Sequence, residues 1–227
     1  MSRFSVLAAV LLAVGGTAFA PVEADGQSVF RERRSQFSIP LNFISGTELE
    51  GQGGSLVDLS NDVGWGFGYG YHVNSRFMVG FDATWLSTSY EATIRVDDDN
   101  DMEDDGTSVI GGGLDAVSFQ AVGQFNMLER SRFTPFVRGN LGITYADSNI
   151  PTGPPQGSCW WDPWWGYYCG TWQPTYDRTS FSFGGVAGGR ADFESFFFEL
   201  GVSGSWIAFE NDTPFLPGVR LNVGLIF

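Results

Sequence analysis

Apolar and polar residues alternate over the last nine residues of the chain. Because successive side chains of a β-strand point to opposite faces, this alternation predicts a strand with one apolar face and one polar face. The apolar positions are Val219, Leu221, Val223, Leu225 and Phe227, and the polar or small positions between them are Arg220, Asn222 and Gly224.

Seven earlier segments show the same alternation. The clearest covers residues 63–71, where large apolar side chains alternate with four glycines. The sixth segment is weaker, and Phe197 interrupts the seventh. Each has roughly the 9–11 residues that a tilted strand needs to cross a bilayer. The eight segments lie near residues 37–45, 63–71, 76–85, 117–126, 133–145, 179–193, 196–206 and 219–227.

The composition of the two faces decides which one faces outward. A soluble lipocalin-like barrel also has eight alternating strands, but its outer face should be rich in charge. Here the polar face carries mostly Gly, Ser, Thr, Asn and Gln, and Trp and Tyr lie near the strand ends, as in interfacial girdles. The pattern therefore predicts an all-β, eight-stranded, antiparallel up-and-down transmembrane β-barrel with its apolar face toward lipid.

The predicted strands are joined by short and long connections in turn. The short turns are Asn74-Ser75, residues 128–132 and Glu194-Ser195. The long connections are residues 46–61, 91–113 and 147–177, with a brief fourth near residues 210–214. In bacterial outer-membrane barrels short turns are periplasmic and long loops extracellular, so we expect both termini in the periplasm.

These patterns, over residues 36–227, resemble the small eight-stranded outer-membrane proteins of the OmpA, OmpX and OmpW type. The resemblance rests on the alternation, the loop asymmetry and the final Phe227. It implies residence in the outer membrane of a Gram-negative bacterium, in contact with lipid and lipopolysaccharide. It also implies that Phe227 is an assembly signal for the barrel-assembly machinery.

The amino terminus has the composition of a secretory signal peptide. Ser2-Arg3 is followed by a short apolar run at residues 6–14 and by Ala18-Phe19-Ala20. We expect cleavage after residue 20, with cleavage after residue 24 as the alternative. Residues 21–35 would then form a periplasmic segment before the barrel domain at 36–227. In an oxidising compartment the two cysteines, Cys159 and Cys169, are predicted to form a disulfide.

Charge excludes one class of partner and suggests a structural role inside the barrel. The formal net charge of -14 argues against nucleic acid. Charged side chains on the polar face must pair, because eight strands leave a narrow interior. The network is predicted to include Arg76, Asp82, Arg138, Arg190, Glu199 and Arg220. Arg190 and Glu199 flank their turn symmetrically and should be cross-strand neighbours. The network is either a structural plug or the gate of a channel.

No catalytic, cofactor-binding or metal-binding residue is predicted. His72 is the single histidine, and its position beside the Asn74-Ser75 turn predicts a solvated side chain at the periplasmic rim. The acidic residues 97–105 fail the EF-hand pattern, since Met102 and Ser108 occupy the positions that require Gly and Glu. A solvated acidic loop is expected there, with loose binding of divalent ions as the alternative.

Six aromatic residues lie between the two cysteines. They are Trp160, Trp161, Trp164, Trp165, Tyr167 and Tyr168. Either they fold over the barrel mouth or lie at the lipopolysaccharide surface, or they form a recognition surface for sugars or a protein. The sequence therefore favours a structural or surface-recognition protein with an unidentified extracellular ligand. The alternative is a narrow, porin-like channel for small or apolar solutes, and a lipid-modifying enzyme comes third.

Overall fold

The computed structural model describes residues 31–50, 56–96, 106–152, 154, 156–164, 166–208 and 213–227. The predicted signal peptide, most of the segment 21–35 and the acidic residues 97–105 lie outside these ranges. Within the described ranges, no helix has the length and hydropathy to span a membrane.

The described residues contain twelve β-strands, eight of which close into a barrel. In chain order the strands are β1 (Ser35–Ile44), β2 (Glu48–Glu50), β3 (Leu56–Leu59), β4 (Asp62–His72), β5 (Phe77–Val96), β6 (Gly106–Asn126), β7 (Phe133–Pro151), β8 (Gln156–Asp162), β9 (Gly166–Trp172), β10 (Thr175–Asp192), β11 (Phe196–Ala208) and β12 (Phe215–Ile226). The barrel order is β1-β4-β5-β6-β7-β10-β11-β12, every pairing is antiparallel, and the β1–β12 pairing closes the ring. The predicted eight-stranded antiparallel barrel is confirmed.

Side chains alternate between the interior and the outer surface along the barrel strands. On β4 the glycines are buried and the aromatic residues are exposed, with Trp65 57% exposed. A Cβ on Gly66 would overlap the backbone carbonyl of Ala83 on β5, so glycine lets these two strands approach closely. The apolar surface is therefore outside and the polar surface inside, as the alternation predicts for a barrel surrounded by lipid.

The barrel strands are longer at one end than the sequence predicts. β5 and β6 stay paired from Phe77↔Phe125 out to Val96↔Gly106. β2 and β3 form a hairpin that extends the sheet from β5, and β8 and β9 form a separate two-stranded sheet. The prediction of loops over all of 46–61, 91–113 and 147–177 is therefore wrong in extent, because the ladder hydrogen bonds continue beyond the apolar band.

Phe197 breaks the alternation of β11 because it is an apolar residue on the inner face. Its side chain is fully buried on the same side of the strand as Glu199. The guanidinium of Arg190 lies 4.1 Å from the centre of its ring. This cation–π contact is favourable, so the apolar ring is accommodated beside the charged side chains of the barrel interior.

Candidate functional site

Seven charged side chains of alternating sign lie in the half of the barrel nearest the short turns. We call this the short-turn half, and its outermost part the short-turn end. The seven side chains form the charge ladder; in order they are Arg31, Asp192, Arg190, Glu199, Arg138, Asp82 and Arg220. All seven are buried. Five of the six successive N–O distances are 2.6 or 2.7 Å, and the Arg138–Asp82 distance is 3.6 Å. Each carboxylate thus lies between two guanidinium groups.

Glu199 lies at the centre of the ladder and has the most partners. One carboxylate oxygen accepts hydrogen bonds from Arg190 and Gln124 at 2.7 and 2.8 Å. The other accepts from Arg138 and Asn222 at 2.6 and 2.9 Å. Buried charges are tolerated when hydrogen bonds satisfy them in this way. The residues come from β6, β7, β10, β11 and β12, so the network ties most of the barrel wall together.

Arg31 closes the short-turn end of the barrel. Its Nε donates to Asp192 at 2.6 Å, and its terminal nitrogens donate to the carbonyls of Leu128 and Ser131 at 3.0 and 2.9 Å. It therefore links the segment before β1 to the β6–β7 turn. Neither Arg31 nor Asp192 was predicted from the sequence as part of the network. Asp192 shares the inward parity of Arg190, a signal that could have identified it, whereas Arg31 precedes any alternating pattern.

Two predicted positions at the short-turn end are wrong. Arg76 was expected in the interior network, but it is half exposed in the turn before β5 and pairs with Glu129 at 2.8 Å. His72 was expected to be solvated, but it is fully buried and its Nε2 lies 2.9 Å from Oε1 of Gln36. The inward parity of β4 places His72 inside. The backbone of residues 33–34 exchanges two hydrogen bonds of 2.9 Å with the backbone of His72.

A cavity of about 100 Å³ lies above the ladder, in the half of the barrel nearest the long connections. Its floor includes Arg220, and its rim carries the apolar side chains of Leu86, Ile207 and Leu216. A belt of hydroxyl and amide groups on β6, β7 and β10 lines one side of it, connected by hydrogen bonds of 2.7–3.1 Å. The belt consists of Ser118, Gln120, Asn140, Thr144 and Ser182. The barrel interior is thus charged in the short-turn half, and the half nearest the long connections holds an uncharged chamber lined by polar and apolar groups, with Arg220 in its floor.

The β8–β9 hairpin carries the aromatic residues. Cys159 and Cys169 are cross-strand partners and form a disulfide, which confirms the predicted bridge. The side chains of Trp161, Trp164 and Tyr167 are 64%, 85% and 79% exposed. The side chains of Trp160 and Tyr168, and all of Trp165, lie outside the part of the chain that the structure describes. The three described aromatic side chains therefore present most of their surface to solvent.

Phe227 lies on the outer surface beside the start of β1. Its backbone exchanges two hydrogen bonds of 2.9 Å with Ser35, and its side chain is 65% exposed. This position suits a lipid-facing residue at the seam of the barrel. Its role as an assembly signal stays a prediction.

Metal ligands do not cluster in the part of the chain that the structure describes. No group of three or more His, Cys, Asp or Glu side chains there is arranged to hold a metal ion. The acidic residues 97–105 lie outside that part.

Comparison with known proteins identifies the architecture. The profile of the outer membrane protein beta-barrel domain family matches residues 6–226. Neisserial surface protein A has a TM-score of 0.51 at 11% identity, over 85% of this chain and 95% of that one. OprG from Pseudomonas aeruginosa gives 0.48 at 14%, over 86% and 97%, and Ail of Yersinia pestis gives 0.45 at 16%, over 86% and 99%. The comparison with curated proteins found no match. At these identities the structural likeness concerns the fold alone.

Proposed function

The chain belongs to the outer membrane protein β-barrel domain family, and we propose that it is a surface-recognition protein of the bacterial outer membrane. In this proposal the long-loop end faces outward and both termini are periplasmic, as in barrels with this loop asymmetry. Membrane lipid and lipopolysaccharide surround the barrel, and the barrel-assembly machinery recognises the strand that ends in Phe227. The β8–β9 hairpin is the part that binds a ligand.

The exposed aromatic surface of the hairpin carries this proposal. Trp161, Trp164 and Tyr167 leave most of their area in solvent, which is costly unless they bind something. The Cys159–Cys169 disulfide holds the two strands together, so less conformational entropy is lost on binding than for a free loop. Aromatic anchors on a constrained scaffold are the usual source of binding energy at recognition surfaces.

Composition favours a glycan as the ligand class. Residues 156–172 contain Trp and Tyr but no Val, Ile, Leu or Met. Flat rings with a polar edge stack on the C–H face of a sugar while their N–H or O–H groups bond its hydroxyls. Trp and Tyr are also frequent anchors at protein–protein interfaces, so a protein ligand is the competing outcome of the test. We propose oligosaccharide recognition, and binding of a protein instead would revise this proposal.

The alternative is a narrow channel, and the charge ladder argues against it. Three carboxylates and four guanidinium groups cross the short-turn half with bonds of 2.6–3.6 Å, so a solute would have to break buried ion pairs to pass. Planar-bilayer conductance separates the two functions. We expect no discrete conductance from the wild-type chain. Steady single-channel steps that change when Arg138 and Arg220 are replaced would favour the channel.

An enzymatic role has little support in the described residues. His72 is buried at the short-turn end. In the proposed orientation that end lies far from the outer leaflet, where a lipid-modifying enzyme would need its catalytic base.

A glycan array probed with the folded, detergent-solubilised protein tests the proposal. The test variant replaces Trp161, Trp164 and Tyr167 with Ala, and the matched control is Tyr176→Ala, an exposed aromatic outside the hairpin. We expect the wild-type and control proteins to bind the same oligosaccharides and the triple variant to lose them. Equal binding by the triple variant, or no oligosaccharide bound by the wild type, would overturn the proposal.

A further inference from the structure

The charge ladder carries one positive charge more than its carboxylates neutralise. It contains four arginines and three carboxylates, and arginine occupies both ends. All seven side chains are buried, and His72, the histidine of the same region, bonds to a neutral glutamine. A buried charge without a counter-charge is costly unless something compensates it. The excess therefore calls for an anion near one end of the ladder.

The two ends differ in how well their arginines are satisfied. Arg31 adds the carbonyls of Leu128 and Ser131 to its bond with Asp192. Arg220 donates to Asp82 at 2.6 Å, and its Nε has no hydrogen-bond partner in the described part of the chain. Asp82 is shared with Arg138, so it does not fully neutralise Arg220. A terminal nitrogen of Arg190 also lacks a hydrogen-bond partner among the described residues, but that guanidinium lies 4.1 Å from the centre of the Phe197 ring. Of the two ends of the ladder, the Arg220 end is therefore the one that lacks an acceptor among these residues.

The cavity above the ladder begins at this end. Arg220 forms part of its floor, and its walls include Asn42, Asn140, Ser182 and Ser203. Hydroxyl and amide groups are donors that can turn toward an anion. A volume of about 100 Å³ admits a small ion with a few waters. The apolar side chains of Leu86, Ile207 and Leu216 line the cavity on the side nearest the long connections.

We propose that this cavity binds a small monovalent anion, a halide or a short monocarboxylate, against Arg220. The anion completes the alternation of the ladder as its eighth charge. A cation is disfavoured by the positive excess of the ladder, and an apolar solute would leave the buried Nε of Arg220 without an acceptor. The buried ion pairs of the ladder close the cavity on the short-turn side. The cavity is therefore a binding site and not part of a channel through the barrel. It is independent of the hairpin.

Chloride-35 nuclear magnetic resonance tests the proposal on the folded, detergent-solubilised chain. Chloride is the titrated anion in a buffer without other small anions, and the excess line width is followed to saturation. The wild type should show a saturable excess line width of the chloride signal, and added formate should remove it by displacing chloride. The relative affinities of chloride and formate then show whether the site prefers a halide or a monocarboxylate. Arg220→Gln should abolish the excess. Arg76→Gln, at the exposed arginine of the turn, should retain it.

Two further variants separate anion binding from folding. Ser203→Leu fills the cavity without changing any charge and should also abolish the saturable excess. Asp82→Asn removes a carboxylate beside Arg220 and should tighten anion binding. Heat-modifiability on a gel establishes that each variant forms a barrel. If Arg220→Gln does not fold, Ser203→Leu decides. An excess that survives in the folded Arg220→Gln or Ser203→Leu variant, or that is missing in the wild type, overturns the proposal.

Discussion

The charge ladder and the β8–β9 hairpin place costly side chains in opposite environments. In the ladder, seven charged groups are buried, and each carboxylate has two guanidinium partners within 3.6 Å. In the hairpin, large aromatic groups remain in solvent, and Trp164 is 85% exposed. A buried charge demands partners from the same chain, whereas an exposed ring gains most from a partner outside it.

The difference separates the part of the chain that stabilises the barrel from the part that we propose binds an extracellular ligand. The ladder joins five barrel strands and the segment before β1, so its loss should lower the free energy of unfolding of the barrel. The hairpin forms a sheet of its own and is held by one disulfide, so its loss should leave the barrel intact. Variants in the two regions should therefore change different observables, and mixed effects would break the comparison.

The largest effect is expected from Glu199→Ala. It removes the carboxylate that neutralises Arg138 and Arg190 and leaves two buried guanidinium groups short of a partner. Breaking a buried ion pair in this way should lower the free energy of unfolding by about 3–5 kcal/mol. Urea unfolding in lipid vesicles, followed by heat-modifiability, measures it.

The matched control is Glu129→Ala, which breaks the half-exposed pair with Arg76 and should cost less than about 1 kcal/mol. If Glu129→Ala and Glu199→Ala lowered the free energy of unfolding by similar amounts, burial would not make the ion pairs of the ladder more important for stability than an exposed pair.

Replacing both Arg190 and Glu199 with Met should cost less than Glu199→Ala alone. The double change removes one guanidinium along with the carboxylate, while Arg138 keeps Asp82 and Arg31 keeps Asp192. Apolar replacements of similar volume often match a buried pair in stability, because the desolvation of both charges is avoided. The same urea titration measures it. Equal losses in the single and double variants would mean that the two residues do not act as a pair.

Parity along each strand is the reason that much of the ladder was predictable. The strand geometry fixes which residues face inward, so Asp82, Arg138, Arg190, Glu199 and Arg220 followed from alternation alone. Parity does not report where a strand begins, and Arg76 therefore appeared interior although it lies in a turn. His72 shares the inward parity of β4, but it was predicted to be solvated because it closes that strand beside a turn.

The remaining features depend on contacts that no local pattern encodes. Arg31 lies 161 residues from Asp192 and precedes the first alternating segment, so nothing in its neighbourhood indicates a buried position. The extension of β5 and β6 beyond the apolar band depends on pairing between the two strands rather than on facing lipid. In the hairpin, adjacent aromatic residues such as Trp160 and Trp161 hide any period of two, and the strands there were predicted as loop.

Arg31→Ala should have an intermediate effect. It leaves Asp192 with Arg190 as its remaining guanidinium partner and removes the cover over the β6–β7 turn. Losing a hydrogen bond to a charged group costs about 1.5–3 kcal/mol. We expect a loss in that range by urea unfolding, together with faster protease cleavage at residues 127–132. Arg33→Ala, an exposed residue of the same segment, is the control and should change neither measurement.

The smallest effect on the barrel is expected from reduction of the Cys159–Cys169 disulfide. The bridge has a sequence separation of 10, and the chain-entropy model gives at most about 3 kcal/mol for so short a ring. That contribution acts on the hairpin, because the closed strand ladder holds the barrel independently. Reduction should leave heat-modifiability unchanged and make residues 156–172 more sensitive to protease. It should also weaken oligosaccharide binding, since the strands that present Trp161 and Tyr167 are no longer fixed together. Loss of the barrel on reduction would place the bridge among the structural elements of the fold and remove the division between the two regions.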